Sequence, residues 1–66
     1  MFPNLNAEIA RANLTKKELS NKVGIPYDTL KYKLSGKSDF KRSEMFLIRD
    51  TICPNCTLEY LFKKED

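Results

Sequence analysis

Basic and aromatic side chains that could bind a polyanion are concentrated in the middle of this 66-residue chain. Residues 16–42 contain eight of the twelve lysines and arginines, only three of the nine acidic residues, and two of the three tyrosines. Amines attract phosphates and release their counterions, and tyrosines can contact bases or phosphates. Outside this window acidic residues outnumber basic ones by six to four, so the formal net charge of +3 understates the asymmetry. This distribution favours a nucleic-acid partner.

Cys53 and Cys56 form a C-x-x-C motif, the other arrangement in the chain that could do chemistry. Two thiols supply only half of a structural zinc site and the chain has no histidine, so a complete site would need two chains. A redox role would require a strand-to-helix setting, and no strand pattern precedes Cys53. We therefore expect two small apolar side chains at a helix junction, with no metal and no cofactor.

Catalytic side chains are not assembled in this sequence. It has no histidine base, no paired carboxylates in an evident pocket and no glycine-rich phosphate loop. A chain of this length also builds poor clefts. We therefore expect neither an enzyme nor a protein with a small-molecule substrate.

The elements that must position the basic residues begin with a capping box. Thr15 and Glu18 have the spacing at which each side chain bonds the amide of the other, which starts a helix at Lys16. Gly24 can adopt the left-handed conformation that ends a helix. The sequence therefore predicts a short first helix between these signals.

A second short helix is predicted directly afterwards. Pro26 suits the first turn of a helix, and Gly36 ends it. Together the two elements predict a helix-turn-helix over about residues 16–35, whose recognition helix, about residues 26–35, would enter a DNA major groove. The alternative is a plain helical hairpin in a small bundle, with its lysines as ordinary solvated charges.

The rest of the chain also has a helical pattern. Apolar spacing predicts a helix over about residues 4–13 and another over about residues 42–52, with Phe40 plugging the core just before the latter. Thr57 can cap a final helical turn. The length fits a single domain over residues 1–66. We therefore expect an all-α, compact five-helix fold.

Several of these segments together resemble a known family. Thr15-Lys-Lys-Glu-Leu, Val23-Gly-Ile, Thr29-Leu and Leu34-Ser-Gly-Lys are similar to motifs of the single-domain Cro/CI-type (Xre) helix-turn-helix regulators of phages and prophages. The similarity extends over nearly the whole chain. It implies a lambda-repressor-like domain that binds a double-stranded DNA operator to repress or switch transcription.

The resemblance also implies roles for individual residues. Lys16 matches a position that touches phosphate or a base edge in the family, and Tyr27, Asp28 and Tyr32 match base-reading positions. Asp28 departs from the family's usual glutamine, serine or arginine; its carboxylate could accept from cytosine N4 or favour the helix dipole. Lys41 stands where the family often has a threonine cap, which leaves the start of the fourth helix open.

The expected site residues fall into three sets. Base-reading residues would be Tyr27, Asp28, Thr29, Lys31 and Tyr32. Phosphate contacts would be Thr15, Lys16, Lys17, Lys33, Lys37, Lys41 and Arg42. A dimer interface would include Leu47, Leu58 and Phe62, because the apolar run 45–48 cannot point wholly inward from one helix. The alternative for Leu47 is an isolated surface leucine.

The expected partners follow from these sets. We expect a homodimer at least on DNA, with its two recognition helices about 34 Å apart. Neither a signal peptide nor a membrane-spanning run is evident, so we expect a cytoplasmic protein with no membrane partner. The rival hypothesis is a protein-interaction module, such as an anti-repressor or antitoxin component, that uses the same helices.

Overall fold

Five helices make up the architecture of the computed structural model, which describes residues 2–65; no strand occurs among these residues. The helices are α1 (Pro3–Arg11), α2 (Lys16–Val23), α3 (Tyr27–Leu34), α4 (Arg42–Ile52) and α5 (Leu58–Leu61). α2 packs against α3 and α4, and α5 packs against α1 and α4. The prediction of a compact, all-helical chain with five helices is confirmed.

Each helix contributes one fully buried side chain to a single core. These side chains are Leu5, Leu19, Leu30, Ile48 and Leu61. Burial of an aliphatic side chain of this size stabilises the fold by about 1.5–3 kcal/mol, before the loss of conformational entropy is counted. The core therefore holds α3 by its inner side and leaves its other side free.

Three phenylalanines from distant parts of the chain close one end of the core. Phe2, Phe40 and Phe62 pack edge to face, with ring centroids 5.2–5.9 Å apart. Such pairs add about 0.5–1.5 kcal/mol to the energy of area burial. The expected role of Phe40 as a core plug is confirmed, whereas the burial of Phe2 was not expected from the sequence.

The start and end of α2 follow the local sequence signals. The Glu18 amide donates to Thr15 Oγ1 at 3.1 Å, and the Thr15 amide donates to Glu18 Oε1 at 2.9 Å. The hydrogen bond from the Thr15 amide, followed by one with the Thr15 side chain, lowers the pKa of the Glu18 carboxyl. Gly24 ends the helix with φ of 72°, in the left-handed region. The predicted capping box and glycine stop are therefore confirmed.

The other helices differ from the predictions by one or two residues at most. α3 begins at Tyr27 because Pro26 lies just outside the helix with an extended ψ of 141°. Thr57 caps α5 by accepting the Tyr60 amide at 3.1 Å, as predicted. None of the helices in residues 2–65 combines the length and the apolar character that a membrane span requires.

Candidate nucleic-acid interface

α3 turns a continuous polar and aromatic surface away from the core. Leu30 and Leu34 anchor the inner side, because residues four apart lie above one another on a helix. The outer surface contains all the residues expected to read bases, and each is exposed: Tyr27, Asp28, Thr29, Lys31 and Tyr32. We call this set the α3 surface. Tyr32 is its most protruding aromatic residue, with 55% of its area exposed.

Two amines of this region lie next to tyrosine rings. Lys31 Nζ is 5.3 Å from the centroid of the Tyr27 ring, and Lys37 Nζ is 6.0 Å from that of Tyr32. Exposed cation–π contacts of this kind contribute about 0.5–1 kcal/mol each. They bring the amines and rings together, and the ammonium protons remain available to an anion. A shallow groove between Tyr32, Lys37 and Asp28 runs along this surface.

Exposed cations also stand at the beginnings of two other helices. Lys16 and Lys17 open α2, where the first backbone amides have no intrahelical acceptor. Lys41 and Arg42 stand at the start of α4. Five of the expected phosphate contacts have exposed side chains that form no ion pair with any residue from 2 to 65: Lys16, Lys17, Lys37, Lys41 and Arg42.

Thr15 is also exposed, at the capped start of α2. Its hydroxyl oxygen accepts the Glu18 amide, so its first role is to hold the end of the helix.

Lys33 differs from the other expected phosphate contacts. Its side chain is only 10% exposed, and Nζ donates to Glu44 Oε1 at 2.6 Å. An amine neutralised at this distance by a carboxylate inside the protein is not available to DNA. Lys33 is therefore removed from the phosphate set.

The ion pair has a positioning role instead. Glu44 Oε1 also accepts the Lys41 amide at 2.8 Å, so one carboxylate joins α3 to the start of α4. Burial by itself would raise the pKa of Glu44, but the hydrogen bonds from Lys33 and from the Lys41 amide, with the charges of both lysines, lower it. This carboxylate fixes the start of α4, where Lys41 and Arg42 lie, in the absence of a threonine cap.

The sequence contains a signal for the burial of Lys33 in this ion pair. Lys33 follows Leu30 by three residues and precedes Leu34, so helical spacing places it at the edge of the inner side. Glu8 occupies the same position relative to Leu5 and Ile9, and it too is buried. In both helices the polar residue next to the apolar stripe has a partner on another helix.

The residues expected at a dimer interface do not form one patch. Leu47 is 50% exposed, as predicted, and lies next to the exposed Phe46. Leu58 and Phe62 instead line a groove with Met45, and Phe62 is itself largely buried. Because Met45 and Leu47 are about 200° apart around α4, the groove and the Leu47 surface lie on different sides of the helix.

The cysteines are not free thiols. Cys53 and Cys56 are joined by a disulfide, so the expectation of two independent apolar side chains is wrong. The physical reason is local: α4 ends at Ile52, and the turn that follows brings the two Cα atoms to 5.4 Å, within the range that a disulfide spans.

Comparison of the chain with protein-family models, with curated proteins and with solved structures gives no match. The family resemblance of its motifs therefore has no support from outside the sequence. Function has to be inferred from the α3 surface and the cations around it.

Proposed function

We propose that this chain is a sequence-specific double-stranded DNA-binding regulator of transcription, of the Cro/CI type, with a lambda-repressor-like arrangement of its helices. In this proposal α2 and α3 are the helix-turn-helix, and α3 is the recognition helix in the major groove. The observation that carries the proposal is the α3 surface: a helix anchored by Leu30 and Leu34 whose whole outer side is polar, aromatic and unpaired with acidic residues.

The α3 surface would read base edges. Lys31 would donate to guanine O6 or N7, and Asp28 would accept from cytosine N4. Tyr27 and Tyr32 would place ring edges on thymine methyl groups or donate their hydroxyls to phosphate. Thr29 would bond a base edge at the border of the surface.

The surrounding cations would fix the register of the protein on the duplex. Lys16 and Lys17, with the free amides at the start of α2, would bind phosphates on one side of α3. Lys37, Lys41 and Arg42 would bind phosphates on the other side of α3. Lys33 makes no such contact in this scheme, because its charge is used by Glu44.

A homodimer on DNA would give the regulator its symmetry. Leu47 and Phe46 provide the exposed apolar surface that a twofold contact would bury. Such a contact would place two recognition helices about one turn of B-form DNA apart. Occupancy of an operator by this dimer would repress or switch transcription in the cytoplasm.

The salt dependence of duplex binding tests the proposal against a protein-interaction module. Five phosphate contacts per chain predict a log–log slope of about −4.5, so affinity should fall several hundred-fold between 50 and 200 mM salt. Binding of a partner protein by the same helices would change far less. A duplex affinity that is flat over this range would contradict the proposal.

Two matched variants test which residues contact phosphates and which contact bases. Duplexes selected from a random pool would first define the specific site. Lys37→Gln should then weaken binding about equally on selected and random duplexes, whereas Tyr32→Ala should lose affinity mainly on the selected one. Equal losses for both variants on both duplexes would contradict the assignment of Tyr32 to base reading.

A further inference from the structure

Three possible metal ligands converge where α1 meets the connection between α4 and α5. A carboxylate oxygen of Glu8 and the sulfur atoms of Cys53 and Cys56 all lie within 4.8 Å of one another. Glu8 comes from α1, while the two cysteines lie in the connection between α4 and α5. Glu8 belongs to the same chain as the two cysteines, so a single chain can supply three metal ligands.

Glu8 is held in place by two hydrogen bonds from other residues. Arg11 donates to its Oε2 atom at 2.6 Å, and the Tyr60 hydroxyl donates to the same oxygen at 3.0 Å. The hydrogen bond to Glu8 is the largest cause of the raised pKa of the Tyr60 hydroxyl, and Arg11 acts in the opposite direction. Oε1 accepts no hydrogen bond from residues 2–65, so the carboxylate is oriented through one oxygen and keeps the lone pairs of the other. Fixed, hydrogen-bonded carboxylates are typical of metal ligands.

We propose that reduction of the disulfide converts this cluster into a binding site for a thiophilic divalent cation such as Zn²⁺. A dithiol reductant would break the Sγ–Sγ bond and add one electron and one proton to each sulfur, while closing its own disulfide. Metal binding would then release the two thiol protons and form bonds to both sulfurs and to Glu8. A water molecule would complete the four-coordinate shell.

Geometry and charge are both compatible with this site. Zn–S and Zn–O bonds of about 2.3 and 2.0 Å in a tetrahedral shell require ligand atoms roughly 3.3–3.8 Å apart, which the cluster can reach with small rotations. Two thiolates and the Glu8 carboxylate carry three negative charges, and the cation with Arg11 balances them. The bound metal would tie α1 to the α4–α5 connection in place of the covalent bond.

Cobalt titration of the full chain tests the proposal, because Co²⁺–thiolate bonds absorb in the near ultraviolet. The reduced chain should bind one Co²⁺ per monomer with thiolate charge-transfer bands, and Zn²⁺ should displace it. The oxidised chain should show no such bands. Zn²⁺ should also raise the melting temperature of the reduced chain only.

Two variants separate the ligand from its surroundings. Glu8→Gln keeps the shape of the side chain and should weaken Co²⁺ binding at least ten-fold. Glu59→Gln, which changes an exposed carboxylate on α5, should leave it unchanged. Circular dichroism would verify that Glu8→Gln is folded, and Cys56→Ser, which keeps Glu8, should remove most of the charge-transfer intensity.

Three results would overturn the proposal. These are one metal per two chains, affinity unchanged by Glu8→Gln, and equal binding by the oxidised chain. Each of them concerns the metal alone, so the DNA-binding proposal does not depend on the outcome.

Discussion

Replacement of Lys33 by methionine should destabilise the fold without a matching loss of intrinsic DNA affinity. Methionine retains the apolar stem of the lysine but removes the amine that neutralises Glu44. The carboxylate, only 17% exposed, would then be left with the Lys41 amide as its remaining hydrogen-bond donor. The start of α4 would lose its connection to α3.

The magnitude follows from the burial of the pair. Breaking a fully buried ion pair costs about 3–5 kcal/mol, because it leaves an uncompensated charge. The residual exposure of Glu44 and its bond to the Lys41 amide reduce that figure, so we expect a loss of about 2 kcal/mol. In a domain of this size each kcal/mol lowers the melting temperature by about 4–8 °C, which gives roughly 8–16 °C.

Thermal melts and duplex titrations of two lysine variants give the assay. Lys37→Met removes an exposed amine and should change stability by less than about 1 kcal/mol while weakening duplex binding. Lys33→Met should instead lower the stability by about 2 kcal/mol. Its duplex affinity should change little when binding is measured well below its melting temperature. Addition of Glu44→Gln to Lys33→Met should restore part of the lost stability. A Lys33→Met variant that melted like the parent chain and lost as much duplex affinity as Lys37→Met would contradict the structural role of Lys33.

Three further predictions follow from the same geometry. Because the pKa of Glu44 is lowered on folding, its contribution is present above the usual value of 4.5 and is lost as pH falls through the folded-state pKa. Between pH 6 and 3 the melting temperature of Glu44→Gln should therefore fall less than that of the parent chain. Equal falls for the two proteins would contradict this. Leu47→Glu should weaken self-association on DNA in sedimentation experiments, with unchanged behaviour excluding Leu47 from the interface. Thr15→Ala removes the cap of α2 and should lower the free energy of unfolding, measured in urea, by about 1 kcal/mol. Thr29→Ala, at an exposed position without a cap, should lower it less.

The elements that the sequence predicted well are those set by short-range signals. Thr15 and Glu18 are three residues apart, and the left-handed Gly24 follows directly after the helix that it ends. Such signals act within one turn, so they can be located without knowledge of the tertiary structure. The outward direction of Tyr32 was predicted for the same reason, since the positions of Leu30 and Leu34 define the inner side of α3.

The features that were missed depend on how distant segments meet. Lys33 and Glu44 are eleven residues apart, and their contact requires the packing of α3 beside the start of α4. Tyr60 and Glu8 are separated by 52 residues. A lysine or glutamate next to an apolar stripe is usually solvated. Only the tertiary arrangement decides whether such a residue finds a partner.

Amide NMR of the isotope-labelled chain, titrated with a short DNA duplex at low salt, would show which surface of the protein contacts DNA. If α3 is the recognition helix, the largest shift changes should fall on residues 27–35, on the start of α2 and on residues 37–42. Amides of α1 and of α5 should change little, and the changes should disappear as salt is raised. The largest changes on the Phe46–Leu47 side of α4, with residues 27–35 unaffected, would contradict the assignment of α3 as the recognition helix.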